Sequence, residues 1–239
     1  MNGAGRERRR SLALTAAVSV GVLTVSVLAL LEPRIMTVMT RDTMAVRRGE
    51  WWRLLTPTLV QPSGVLALAF LLLGFLVLIP AVGSQAGSAT AATAMVIGAV
   101  GALAISSWLF PAQTGGGSSG AVAALVGAWA AYLTRGANGG PRAYLVSVYA
   151  GFFAVYLVAA AGPFATVAPL IGNVAAVTAF ALHRNGRPGV VAAGVLVCGV
   201  VMTALLDEHG FGVLLGAAVA VASRETVRRP LLNQDIASR

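Results

Sequence analysis

The fold turns on the stretch Gly115-Gly116-Gly117-Ser118-Ser119-Gly120-Ala121-Val122-Ala123-Ala124-Leu125-Val126-Gly127. Three glycines lead into a serine pair, and the pair opens an uncharged run of small apolar residues. Glycine lets the chain turn sharply and lets other groups come close. The run reads as a helix, so the serines fall at its N-terminus, where unpaired N–H groups and the positive dipole end favour an anion. A serine there has two readings. It can simply cap the helix, or it can be a nucleophile whose developing oxyanion those N–H groups hold.

The rest of the chain sets the medium in which that serine works. Of 239 residues, 57% are hydrophobic and only 10% charged, too little charge for a water-soluble domain of this length. The expected class is an all-α polytopic membrane protein. All 17 basic residues are arginine, and they set a net charge of +9. They stand between apolar runs, so they read as topology signals and not as a nucleic-acid face. The lone Cys198 lies inside an apolar run, which excludes an intramolecular disulfide and argues against a thiolate metal cluster. No metal or organic cofactor is expected.

Working outward, the apolar spans fall at 11–31, 64–82, 91–110, 119–134, 143–161, 164–182, 190–206 and 210–223. Arg6, Arg8, Arg9 and Arg10 place the N-terminus inside. Glu32-Pro33-Arg34 stands where a signal peptide would carry a small-residue cleavage site, so the first span is kept as a helix. The turns after the fourth, sixth and eighth spans are basic, and those before them carry no arginine. That alternation puts both termini in the cytoplasm. The expected organisation is a basic inner segment 1–10, a transmembrane domain 11–223 and an inner tail 224–239, in a bacterial plasma membrane. Residues 32–63 form an outer loop in which Trp51, Trp52 and Arg53 suit the membrane interface. The loop holds Arg34, Arg41, Arg47, Arg48 and Arg53 against the positive-inside rule, which a folded interfacial loop would explain.

A second stretch, His209-Gly210-Phe211-Gly212-Val213-Leu214-Leu215-Gly216, puts a histidine and two glycines on one helix face. Glycines so placed admit another helix backbone. The spans that start at Ser119 and His209 both run inward from the outer side, so the two side chains share a leaflet, as a Ser–His dyad requires. The plain alternative is an interfacial histidine beside Asp207 and Glu208. His183 falls in a basic inner turn, on the wrong side for Ser119, and is expected to be solvated.

These motifs resemble the rhomboid intramembrane serine proteases. Gly117-Ser118-Ser119-Gly120 is similar to their GxSG nucleophile motif, the HxxGxxxG pattern to their histidine-bearing helix, and Glu50-Trp51-Trp52-Arg53 to their WR-containing first loop. The resemblance implies a rhomboid-like bundle with Ser119 as nucleophile and His209 as base. Gly117, Ser118 and Gln61 would form the oxyanion and substrate loop, with Gly120, Gly212 and Gly216 as packing glycines. It also implies transmembrane protein substrates in a lipid bilayer and no nucleic-acid partner. The chain departs from the family at two places. Pro169 stands roughly where the histidine would fall on the second helix after the serine, so His209 pairs with Ser119 only across an inserted hairpin. The second span also lacks the family's histidine and asparagine. A rhomboid-like pseudoprotease that holds client transmembrane helices without cutting them is the alternative. A small transporter is disfavoured, because charges occur only at span ends.

Overall fold

The computed structural model describes residues 3–110, 114–135 and 142–237, with side chains over 5–110, 114–135 and 143–223. The expected outer turn at Pro111, most of the basic turn after the fourth span and the side chains of the tail lie outside the described residues. The chain is helical almost throughout, as its apolar runs require. In order come α1 (Gly3–Leu31), α2 (Pro33–Met39), strand β1 (Arg41–Asp42) and α3 (Thr43–Arg47). After two short 3-10 helices come α4 (Val65–Ala86), α5 (Ser88–Leu109), strand β2 (Thr114–Gly115) and α6 (Ser119–Leu133). The chain continues through α7 (Arg142–Ala161), α8 (Ala168–Arg184), α9 (Pro188–Ala204) and α10 (Glu208–Ala237).

Five helical stretches are long and apolar enough to cross a membrane: Gly5–Leu31, Val65–Ala86, Ser88–Leu109, Ala143–Ala161 and Ala165–Arg184. A helix of 22 residues such as α4 is about 33 Å long, close to the hydrocarbon thickness of a bilayer. Ser119–Leu133, Pro188–Ala204 and Glu208–Ser223 are apolar but shorter. The exterior of the bundle is apolar as well as its core. Leu66 (88% exposed), Leu170 (67%) and Val177 (69%) face outward, while Ser26, Ser106 and Ser147 are buried. An apolar exterior of this kind is matched to lipid.

Helix α6 is the axis of the bundle. Its side chains from Ala121 to Leu133 are all buried, and α4, α5, α9 and α10 pack around it. Helix α8 packs mainly on α7, at the periphery.

Several boundaries differ from the sequence reading. Helix α1 starts at Gly3 and not at residue 11, and the Glu7 carboxylate accepts hydrogen bonds from the N–H and hydroxyl of Ser88, both at 3.2 Å. That contact draws the charged segment into the helix. The expected turn 83–90 shrinks to Gly87, whose φ of +90° breaks the chain in one residue. The sixth span opens as a 3-10 turn at Ala165–Val167 before α8 begins.

The loop 32–63 is folded. Trp51–Leu54 is a 3-10 helix with Trp51 and Trp52 turned outward, 66% and 50% exposed. Arg53 points the other way. It donates to Glu50 (2.7 Å) and to the carbonyls of Thr37 (2.8 Å) and Thr40 (3.0 Å), tying down the C-terminal end of α2.

Candidate functional site

Ser119 and His209 meet. His209 Nε2 lies 2.8 Å from Ser119 Oγ, although 90 residues separate them in the chain. On the other side of the ring, Nδ1 lies 2.6 Å from Asp207 Oδ1, which also accepts the His209 backbone N–H at 2.8 Å. An ionised carboxylate only accepts, so Nδ1 carries the proton and Nε2 is left to accept from the Ser119 hydroxyl. Burial pushes the Asp207 carboxyl up, but the hydrogen bonds it accepts from His209, together with the attraction of that ring when it is protonated, outweigh this and hold the group below its ordinary range. Both ring nitrogens therefore have a set direction.

Glycines bring the two helices together. A Cβ on Gly216 would collide with the Ala124 carbonyl, and one on Gly127 with the Val213 carbonyl. Gly212 would meet the Gly120 carbonyl at 3.1 Å. Backbone thus lies directly on backbone along the α6–α10 seam, the close approach that small residues permit in membrane helices. Gly120 itself faces Ala99 at ordinary contact distance (3.6 Å), so its share in the seam is its carbonyl. The pairing of Gly127 with Val213 was not read from the sequence, because it depends on the register of two distant helices.

The loop 32–63 braces the site. Arg41 and Asp42 of β1 pair antiparallel with Gly115 and Thr114 of β2, so the glycine loop is fixed by a ladder to the loop that follows α1. The Arg41 side chain is buried (3% exposed), donates to Ser106 Oγ at 2.7 Å and forms an ion pair with Glu208 at 2.8 Å. It joins β1 and α5 to the first residue of the helix that bears His209. Sequence reading had grouped Arg41 with the other interfacial arginines. Charge counting cannot separate a buried clasp from a surface anchor.

Gln61 is buried (6% exposed), and its backbone N–H is held by Ser26 Oγ at 3.1 Å. Its side-chain oxygen occupies the space a Cβ of Gly117 would fill, 2.7 Å away. The structure thus brings together Gln61 and Gly117, two of the residues singled out for the oxyanion loop. Ser118 holds the cap position of α6, but its side chain makes no capping bond. Its buried hydroxyl and the Gln61 side-chain oxygen have no partner among the described residues. The capping reading of the serine pair therefore has no hydrogen bond behind it, and Ser119 is the member aimed at the histidine. At the first turn of α6, intrahelical bonding begins with the Ala121 N–H to the Ser118 carbonyl. The Ser119 and Gly120 N–H groups lie ahead of it, without an intrahelical acceptor.

Other candidates lie apart. Pro169 opens α8, remote from α6 in the packing order, and stands in for no histidine at the site. His183 is not simply solvated as expected. Its Nδ1 lies 2.5 Å from the buried Ser147 hydroxyl and its ring packs against Tyr144, at 4.3 Å between centroids. Ser147 lies inside α7, where its own N–H is committed to the helix and is no oxyanion donor for this pair. Comparison of the chain with protein-family models, with curated proteins and with solved structures returns no match.

Proposed function

We propose that the chain is an intramembrane serine endopeptidase of rhomboid type, with Ser119 as nucleophile and His209 as base. The observation that carries this reading is the 2.8 Å contact between His209 Nε2 and Ser119 Oγ at the N-terminus of a buried helix. In the first step the Ser119 oxygen attacks a peptide carbonyl while its proton passes to Nε2. The oxyanion is met by the Ser119 N–H at the start of α6, with the Gln61 amide as a further donor. His209 then gives the proton to the leaving amine, and water, deprotonated by the same nitrogen, releases the acyl group from Ser119. The glycine loop before Ser119 leaves room for an extended substrate backbone.

The same reading takes the five long and the three shorter apolar helices as crossings and both termini as cytoplasmic. Helices α8 and α9 are then the inserted hairpin that carries the histidine two helices further along than the family places it. Because the number of inserted helices is even, the sidedness of His209 is preserved.

The second reading, an inert rhomboid-like protein that holds client helices, is favoured by the apolar second span, which has neither the histidine nor the asparagine of the family. One experiment separates the two. The protein is reconstituted in liposomes with a single-span segment that has helix-breaking residues near its outer end. Cleavage that disappears in Ser119→Ala supports the protease. An intact segment that crosslinks to the wild type supports the inert binder.

A further inference from the structure

We infer that Asp207 is a positioning residue that completes a Ser119–His209–Asp207 triad, so that this site works with three side chains where the Ser–His dyad uses two. The inference rests on the protease reading of Ser119 and His209 and goes beyond it. Its basis is the geometry on the far side of the imidazole. Asp207 Oδ1 accepts from both the ring Nδ1–H and the backbone N–H of His209, at 2.6 and 2.8 Å. One oxygen thereby fixes the ring in position and its proton on the nitrogen that faces away from the serine. Its negative charge also lies next to the ring that becomes an imidazolium when Ser119 gives up its proton.

The surroundings favour this role. Asp207 and His209 are only 23% and 16% exposed, so water competes poorly for either partner. The other charges at the ring are Glu208, beside it on α10, and Arg41, which arrives from β1. These two form an ion pair with each other at 2.8 Å, while Asp207 is held by the imidazole. On the α7 side the ring meets the edge of Phe153, an apolar neighbour that adds no competing donor.

A carboxylate at this position would also serve as an ordinary helix cap, since it binds the N–H of the second residue of α10. The test therefore uses a variant that keeps the cap. In Asp207→Ser the hydroxyl can still accept the backbone N–H but is too short to hold Nδ1. In Asp207→Asn the shape is kept, but the charge is lost and the amide NH2 can donate to Nδ1, which favours the tautomer with its proton on Nε2. Two readouts are taken on folded, full-length protein. The first is the rate of Ser119 modification by a fluorophosphonate. The second is the His209 tautomer, from ¹⁵N resonances of protein labelled at histidine in a His183→Gln background.

Both variants are expected to be modified at least about 100-fold more slowly than the wild type; in a serine-protease triad the same Asp-to-Asn change costs about 10⁴. The proton is expected on Nδ1 in the wild type and redistributed to Nε2 in Asp207→Ser. An Asp207→Ser protein with wild-type rate and wild-type tautomer would overturn the inference. A wild type that is not modified at all would end the protease reading, and the tautomer comparison would still decide whether Asp207 sets the ring.

Discussion

The hydroxyl of Ser119 sits at the one point of α6 where backbone donors are left over and the dipole is positive. Within a helix a hydroxyl can bond back onto the preceding turn, as Thr15 does on the Ser11 carbonyl at 2.7 Å. At the N-terminus it is free to bond outward, and its partner is His209. Gln61 belongs to the same scale. Its buried side-chain amide is shaped to Gly117 and has an oxygen that no described residue satisfies. If its N–H steadies the oxyanion, Gln61→Met, which keeps bulk and removes the amide, lowers cleavage about 10²-fold with little change in thermal stability. An unchanged rate in that variant would remove Gln61 from the mechanism. The partners of Ser119 were only partly legible in the sequence. His209 stood out because glycines followed it at helical spacing. Asp207 did not, since an acid two residues before a histidine is an ordinary pattern at a helix start and gains its meaning only from where the ring turns.

At the level of elements, the seam between α6 and α10 controls the distance between nucleophile and base. Gly216 and Gly127 leave no room for a side chain, because a carbonyl of the facing helix already fills the space. Enlarging Gly216 to valine has to move one helix off the other. Overpacking a close contact typically costs about 1–3 kcal/mol, and here it also draws His209 away from Ser119. Gly194 on α9 has nothing within 4 Å of a new Cβ and supplies the control. Gly216→Val is expected to lose activity and several degrees of melting temperature, and Gly194→Ala to lose neither. Hydropathy made the helices readable to within a few residues, apart from the charged start of α1 and the far end of α10. The β1–β2 ladder and the Arg41–Glu208 clasp were not readable, because each joins short polar segments more than 70 residues apart in the chain. No local periodicity marks such a contact.

For the whole molecule, an apolar exterior around a mainly apolar core, with only a few buried polar side chains, fits a chain surrounded by lipid. In the eight-crossing arrangement, Ser63 and Asn185 are exposed on opposite faces of the membrane. Cysteines introduced there, with Cys198 changed to serine, should react with a membrane-impermeant maleimide from opposite sides; reaction from one side alone would break that topology. The bundle contains two Ser–His contacts, Ser119–His209 and Ser147–His183, and only the first opens onto a helix N-terminus. The decisive measurement is peptide-mapped mass spectrometry of the folded protein after reaction with a fluorophosphonate. The phosphonyl group is expected on Ser119, and its attachment should fail in His209→Ala. An adduct on Ser147, or none on a protein that melts cooperatively, would contradict the assignment of Ser119 as a nucleophile.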